Sequence, residues 1–301
     1  MKRLTLKLLI AVVFLLVVSS SLLLAENEKL KVFVSILPQK YFAERLLGDN
    51  AIVDVLIGPG MSPHTYEPLP QQMSRLSRAN IFFTIGIPFE KVIIERLKKL
   101  CPNLIIKSSD ESIEKIKMEG HHHHDESHEH QHEEVHHHDM GLDPHFWLDP
   151  IKASVMADNM AKAIIASKPE LSESVKLNLE SIKADMTKLD TELSQKLLPF
   201  KGKTMLVFHP AFGYFAARYG MIQKAVEIEG KEPAPRQLGE LIRNCRADGI
   251  KIIFVQKQFP VSTAKTIANS IGGRVTAIDP LAEDYIDNLK AMAEAVADTA
   301  K

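Results

Sequence analysis

The chain has 301 residues, of which 45% are hydrophobic and 25% charged, with a formal net charge of −1. That length allows one large domain or two medium ones, each with a full core, and the near-neutral charge gives nucleic acid or an anionic membrane surface no reason to bind. An aromatic content of 6% with a single tryptophan, Trp147, also argues against a sugar-stacking surface.

Lys2, Arg3 and Lys7 precede an uninterrupted apolar run at 8–18, and Ser19, Ser20, Ser21 and Ala25 supply small residues after it. This is the pattern of a secretory signal peptide cut after Ala25, with an uncleaved anchor as the alternative. No cysteine lies near the cut, which speaks against a lipoprotein anchor. The mature chain is therefore expected in the periplasm or another extracytoplasmic space. Only Cys101 and Cys245 are present. An oxidising compartment permits a disulfide between them without requiring one; two buried, unpaired thiols are expected.

Apolar, β-rich runs at 31–37 (KVFVSIL), 52–57 (IVDVLI), 81–85 (IFFTI) and 104–106 read as strands, with helix-like stretches at 39–47, 71–78 and 89–100 between them. Continuous rather than alternating apolar runs predict parallel strands covered on both faces, and strand–helix–strand repetition predicts right-handed βαβ units. Residues 119–139 interrupt the pattern with ten histidines and seven acids. Helical sequence follows from about Lys152. A single long helix is predicted over 167–197, with Ser167 as N-cap and Pro169 in the first turn. Its stripe is Val175, Leu179, Ile182, Met186, Leu189, Leu193 and Leu197. Strands then recur at 204–208, 223–228, 252–256 and 274–278, and helices at 211–219, 236–244, 262–271 and 283–300. The reading is an α/β protein of two (β/α) lobes with parallel sheets joined by one long rigid helix. The units are a signal peptide (1–25), a first lobe (26–166) carrying the insert 119–139, a connecting helix (167–199) and a second lobe (200–301). No strong sequence repeat relates the lobes.

The histidines divide unevenly. Ten of the 13 lie in the insert: His121, His122, His123, His124, His128, His130, His132, His136, His137 and His138. Only His64, His145 and His209 lie elsewhere, each beside a proline and each following or adjoining a strand-like run. Asp279 is placed the same way, after the run at 274–278 and before Pro280. Residues just past the carboxyl ends of parallel strands line the crevice of an open α/β sheet. Three imidazoles and one carboxylate make a four-ligand set that suits Zn²⁺.

The motifs PHTYEP (63–68), DPHFWLDP (143–150), FHPAFGYFAARYG (208–220), EPAPRQL (232–238) and AIDPL (277–281) resemble, in order, those of the metal-binding solute-binding proteins of bacterial ABC importers, the zinc and manganese family. The resemblance covers nearly the whole mature chain. It implies two lobes, a rigid connecting helix and a metal in the cleft, held by His64 and His145 from the first lobe and His209 and Asp279 from the second. It also implies that the metal is transported cargo, that a membrane permease is the partner, and that the protein is not an enzyme. A monomer is expected. Histidine at 209 resembles the zinc members, whereas manganese members carry Glu there; imidazole donors favour zinc over manganese, though Cu²⁺ would outrank both. One departure stands out: Gln256-Lys257-Gln258-Phe259 occupies the place of an EPQF-like segment. The insert, expected to be disordered without metal, is expected to hang near the cleft mouth and to gather or sense zinc. Manganese binding, a zinc hydrolase and a metal-binding adhesin are the rival readings. A hydrolase would need an open metal position and a general base such as Glu67.

Overall fold

The computed structural model describes residues 29–63, 65–118, 141–227, 231–259 and 261–300; the segment read as a signal peptide lies outside the described residues. Strands β1 (Leu30–Ile36), β2 (Ala51–Ile57), β3 (Ile81–Thr84) and β4 (Ile105–Ser108) form one sheet, and β5 (Thr204–Val207), β6 (Ile222–Ala225), β7 (Ile252–Gln256) and β8 (Arg274–Ile278) form a second. Every pairing is parallel. The strand orders are β2-β1-β3-β4 and β6-β5-β7-β8, so the two lobes repeat one topology without a visible sequence repeat. In each sheet the chain reverses its direction of winding beside the first strand. That opens a crevice at the carboxyl ends of β1 and β3, and of β5 and β7. β3 and β7 are buried at every position, as strands covered on both faces must be.

In chain order the helices are α1 (Leu37–Leu47), α2 (Pro70–Leu76), α3 (Pro88–Leu100), α4 (Pro150–Ser167), α5 (Ser172–Leu197), α6 (Gly213–Arg218), α7 (Pro235–Ala247), α8 (Ser262–Ser270) and α9 (Tyr285–Ala297). Four of them, α1, α2, α3 and α7, start with a proline in the first turn and Gln or Glu at the third position. Proline has no amide to satisfy there. The third-position side chain accepts the amide that precedes the helix: Gln39 from Ile36, Gln72 from Leu69, Glu90 from Ile87 and Gln237 from Ala234, at 2.9–3.3 Å. Half of a capping box thus serves where the cap residue is apolar.

The helix predicted from Ser167 begins later. Ser167 is the last residue of α4, a 3₁₀ turn spans Pro169–Leu171, and α5 starts at Ser172. Pro169 disfavours the helical conformation at Lys168, which sits at φ −137°, ψ 77°. The break leaves α5 with 26 residues, a rod of about 39 Å. All seven residues of its apolar stripe are buried, each contributing roughly 1.5–3 kcal/mol of transfer free energy. The helix packs on α1 and α4 of the first lobe and on α9. Arg45–Asp185 (2.6 Å) and Lys290–Glu192 (2.9 Å) flank it on either side.

One apolar core runs through both lobes. It joins Val32, Phe82 and Trp147 of the first to Met205, Val207, Phe254 and Tyr285 of the second. A smaller cluster, including Leu206, Phe208, Ile253 and Ile267, fills the other face of the second sheet. Cys245 is buried, Cys101 is half-buried, and both are free thiols.

Candidate metal centre

His209 follows β5 in the crevice of the second sheet. Gln256, at the end of β7 and 1% exposed, clamps its peptide from both sides. Its Nε2 donates to the His209 carbonyl oxygen at 2.6 Å, and its Oε1 accepts the His209 amide at 3.3 Å. An amide side chain can donate and accept at once, whereas an ionised carboxylate only accepts. Gln256 is the first residue of the segment that departs from the EPQF-like pattern, and the clamp is a use for that departure.

The His209 ring is fixed on two further sides. Nδ1 lies 2.7 Å from Glu227 Oε2, and Phe259 stacks on the ring face with centroids 5.1 Å apart and planes 17° from parallel. Burial holds its pKa below the usual histidine value, and the neighbouring His145 adds to this; the hydrogen bond to Glu227 opposes the shift without cancelling it. The shift favours the neutral imidazole, the form that ligates.

His145 comes from the first lobe, at the mouth of the 3₁₀ turn Phe146–Leu148. Asp143, two residues earlier and 1% exposed, accepts with one oxygen both the His145 amide at 2.8 Å and the ring Nδ1 at 2.7 Å. The two histidine rings approach to 5.8 Å between centroids, at 77°. Each therefore commits Nδ1 to its own buried carboxylate. A metal-ligating histidine characteristically does this, with Nε2 then turned to the metal.

Asp279 follows β8. Its Oδ1 accepts the Leu281 amide at 2.9 Å and Gln258 Nε2 at 3.2 Å, and its Oδ2 lies 3.6 Å from Lys257 Nζ. Among the described residues, no three His, Cys, Asp or Glu side chains converge closely enough to hold one ion. The convergent pair is His145 and His209. His64 and the ten insert histidines lie outside the described residues. Ser62 and Pro63, which precede His64, line the same cavity as His145, His209, Pro280 and Leu281. Residues on the two sides of the insert meet: Lys117 and Leu142 form an antiparallel bridge, and the Asp143 amide donates to Ile116 O at 2.9 Å. The described residues flanking the insert thus meet beside the carboxylate that orients His145.

The cavity measures about 20 Å³. That is room for roughly one water or one ion, against about 300–1,000 Å³ for an organic ligand site. A larger hollow of about 520 Å³ lies at the other end of the second sheet, near Lys203, Thr204 and Ile252; among the described residues its lining includes Asp248 but no His, Cys or Glu. Glu227 played no part in the sequence reading, and Phe259 entered it only as the last residue of the EPQF-like segment. Asp143 was visible only as the first residue of a motif. His145 follows the single bridge residue Leu142 rather than the strand-like run expected of it; an acid two residues before a histidine outside the insert was a usable signal for Asp143, whereas Glu227, 18 residues from His209, gave none.

A family model described as zinc-uptake complex component A, periplasmic (ZnuA), matches residues 32–299. The chain is 34% identical to a crystallised ZnuA, with a TM-score of 0.82 over 91% of this chain and all of the other. It is equally identical to a ZnuA deletion mutant with zinc bound, with a TM-score of 0.81 over 90% and 98% of the two chains. Among curated proteins it is 27% identical to the zinc-binding protein AdcA of Streptococcus pyogenes, over 86% of this chain and 51% of the relative. The chain thus spans about half the length of that relative.

Proposed function

The chain belongs to the family of periplasmic zinc-uptake components that its residues 32–299 match, and from that premise we propose that it is an extracytoplasmic receptor that binds Zn²⁺ and delivers it to the membrane permease of an ABC importer. One observation carries the reading. Two buried imidazoles from opposite lobes face each other across a cavity of about 20 Å³, each held at Nδ1 by a buried carboxylate. Such a space takes an ion and excludes a peptide, ester or sugar, which favours carriage over hydrolysis. The proposed ligands are His64, His145, His209 and Asp279. Imidazole nitrogens in the majority favour zinc over manganese. The signal peptide 1–25 would place the mature chain outside the cytoplasm. The insert 119–139, rooted beside Asp143, would gather zinc and pass it inward.

Titration of the mature chain with Zn²⁺ and Mn²⁺, with and without His209→Ala, tests the reading. Zinc should bind more tightly than manganese, and His209→Ala should abolish most of that preference. Preferential binding of Mn²⁺ by the unmutated chain overturns the metal assignment. Removal of 119–139 should leave the main-site Kd unchanged and slow growth in zinc-poor medium; unaffected growth removes the gathering role.

A further inference from the structure

The two loops that bring candidate ligands from opposite lobes are tied together through one residue. Trp147 lies in the 3₁₀ turn that His145 opens, and it is wholly buried. Its indole Nε1–H donates to the carbonyl oxygen of Pro280, the residue after Asp279, at 2.7 Å. Its own main-chain carbonyl accepts the hydroxyl of Tyr285 at 2.5 Å. Tyr285 opens α9 and is itself wedged against the first lobe, with ring centroids 4.9 Å from Phe42 and 5.8 Å from Tyr41. Hydrogen bonds therefore run both ways across the lobe boundary, one given and one received by the same residue.

Apolar packing alone would need only bulk at position 147. The donor–acceptor pattern adds register. An indole N–H is a donor only, on a rigid ring, so its acceptor must stand at one place. A buried indole N–H or phenol that lost its partner would be left unsatisfied, so slippage of one lobe against the other is opposed at both bonds. The same indole backs the His145 ring, with centroids 5.2 Å apart. On the Pro280 side, Asn288 Nδ2 holds the Asp279 carbonyl oxygen at 2.7 Å. The clasp is made wholly of protein groups.

We propose that Trp147 is a positioning residue of the metal site: by clasping the Pro280 carbonyl and the Tyr285 hydroxyl, it sets the spacing between ligands contributed by the two lobes. This rests on the reading above, that His145 and the Asp279 loop serve one zinc ion. Trp147→Phe keeps the aromatic bulk and deletes the N–H, and Tyr285→Phe deletes only the hydroxyl. Ile182→Ala, in the α5 stripe and away from the clasp, controls for lost stability.

The readouts are zinc affinity by competition with a chromophoric chelator, and the visible spectrum of bound Co²⁺, which reports ligand geometry. Each clasp variant should weaken zinc binding by roughly ten-fold or more, the range typical of groups that orient metal ligands, and should change the Co²⁺ spectrum. Ile182→Ala should lower the melting temperature and leave both readouts alone. Clasp variants with the unmutated zinc affinity and Co²⁺ spectrum, whatever their melting temperature, overturn the proposal. Tyr285→Phe decides alone where Trp147→Phe does not fold. Should His145→Ala and His209→Ala both bind zinc like the unmutated chain, the reading of the site falls first and the clasp with it.

Discussion

Gly213 stands so close to Asp143 that a methyl group on it would lie 2.8 Å from Asp143 Oδ2. The contact crosses the lobe boundary, from the first residue of α6 to the carboxylate that orients His145. Tyr214, the next residue, donates its hydroxyl to the Asp143 carbonyl oxygen at 3.1 Å and accepts the Ile116 amide at 3.0 Å. Gly213→Ala sets two effects against each other. Alanine favours a helix over glycine by about 1 kcal/mol, whereas the added methyl must push Asp143 aside. Asp143 has little room to yield, because its other oxygen carries two bonds to His145. The expected outcome is a melting temperature within a few degrees of the unmutated chain and zinc affinity reduced roughly ten-fold or more. Isothermal titration and thermal melts separate the two; an unchanged Kd would show that Asp143 does not act through His145.

Glu227 should matter as much as Asp143, from the other lobe. Glu227→Gln keeps the size and can still bond the His209 ring, but it removes the charge that steadies Nδ1–H. A loss of roughly 10–100-fold in zinc affinity is expected, as for other carboxylates behind a metal-bound histidine. The same substitution should leave folding intact, since the amide can satisfy the site. Equal affinity in Glu227→Gln and the unmutated chain would reduce Glu227 to a passive neighbour.

The contrast between these two acids shows what could be read in the sequence. All eight strands were legible: β3 and β7 because strands covered on both faces are continuously apolar, and the partly exposed β2, β4, β6 and β8 as short β-rich runs in the strand–helix alternation. The α5 stripe was legible because its spacing is helical. His145 and His209 stood out by scarcity outside the insert. Glu227 was hidden because its partner is set by the side-by-side pairing of β5 and β6, in which Val207 aligns with Ala225, and no local pattern encodes that register. The break at Lys168 was missed because Pro169 suits a first turn as readily as a stop. The common strand order of the lobes was hidden because topology is kept by apolar runs whose particular residues are free to differ.

His209 sets the pH behaviour. An ordinary imidazole has a pKa of about 6.5, and burial, reinforced by His145, holds His209 below it. The sign follows: stability from the neutral ring is fully present above 6.5 and is lost as pH falls through the lowered value. Metal-free protein should therefore melt at a constant temperature above pH 6.5 and progressively lower below it. His209 should exact no proton penalty on zinc binding until the same acid range is reached. An NMR titration of the metal-free protein that placed the His209 midpoint at or above 6.5 would contradict both statements.

The lobes should move little when zinc binds. The apolar core is continuous across their boundary, with Trp147 and Tyr285 buried in it, and α5 packs on elements of both sides. Opening the cleft widely would expose aromatic surface at a cost of roughly 25 cal/mol per Å². Structures with and without zinc should superpose as whole chains after small loop adjustments. A rotation of tens of degrees would refute this.

Lys257 bears on whether Asp279 ligates. Its ammonium lies 3.6 Å from Asp279 Oδ2, on a side chain 65% exposed. A cation there repels an approaching Zn²⁺ and competes for the carboxylate. Asp279 is only 15% exposed, but the ammonium is open to solvent, so the pair's worth is about 1 kcal/mol. Lys257→Ala should tighten zinc binding by up to about five-fold at low salt, with the gain shrinking as salt screens the charge. Asp279→Ala alone should weaken binding, and in its presence Lys257→Ala should help less, because only the charge repulsion is then relieved. Were Asp279 a bystander and water the fourth ligand, Asp279→Ala would leave affinity almost unchanged. Lys257→Ala would then act the same with or without the carboxylate, through its charge alone. The double-mutant cycle therefore reads the fourth ligand directly: coupling between 257 and 279 means that the carboxylate meets the metal, and additivity means that it does not.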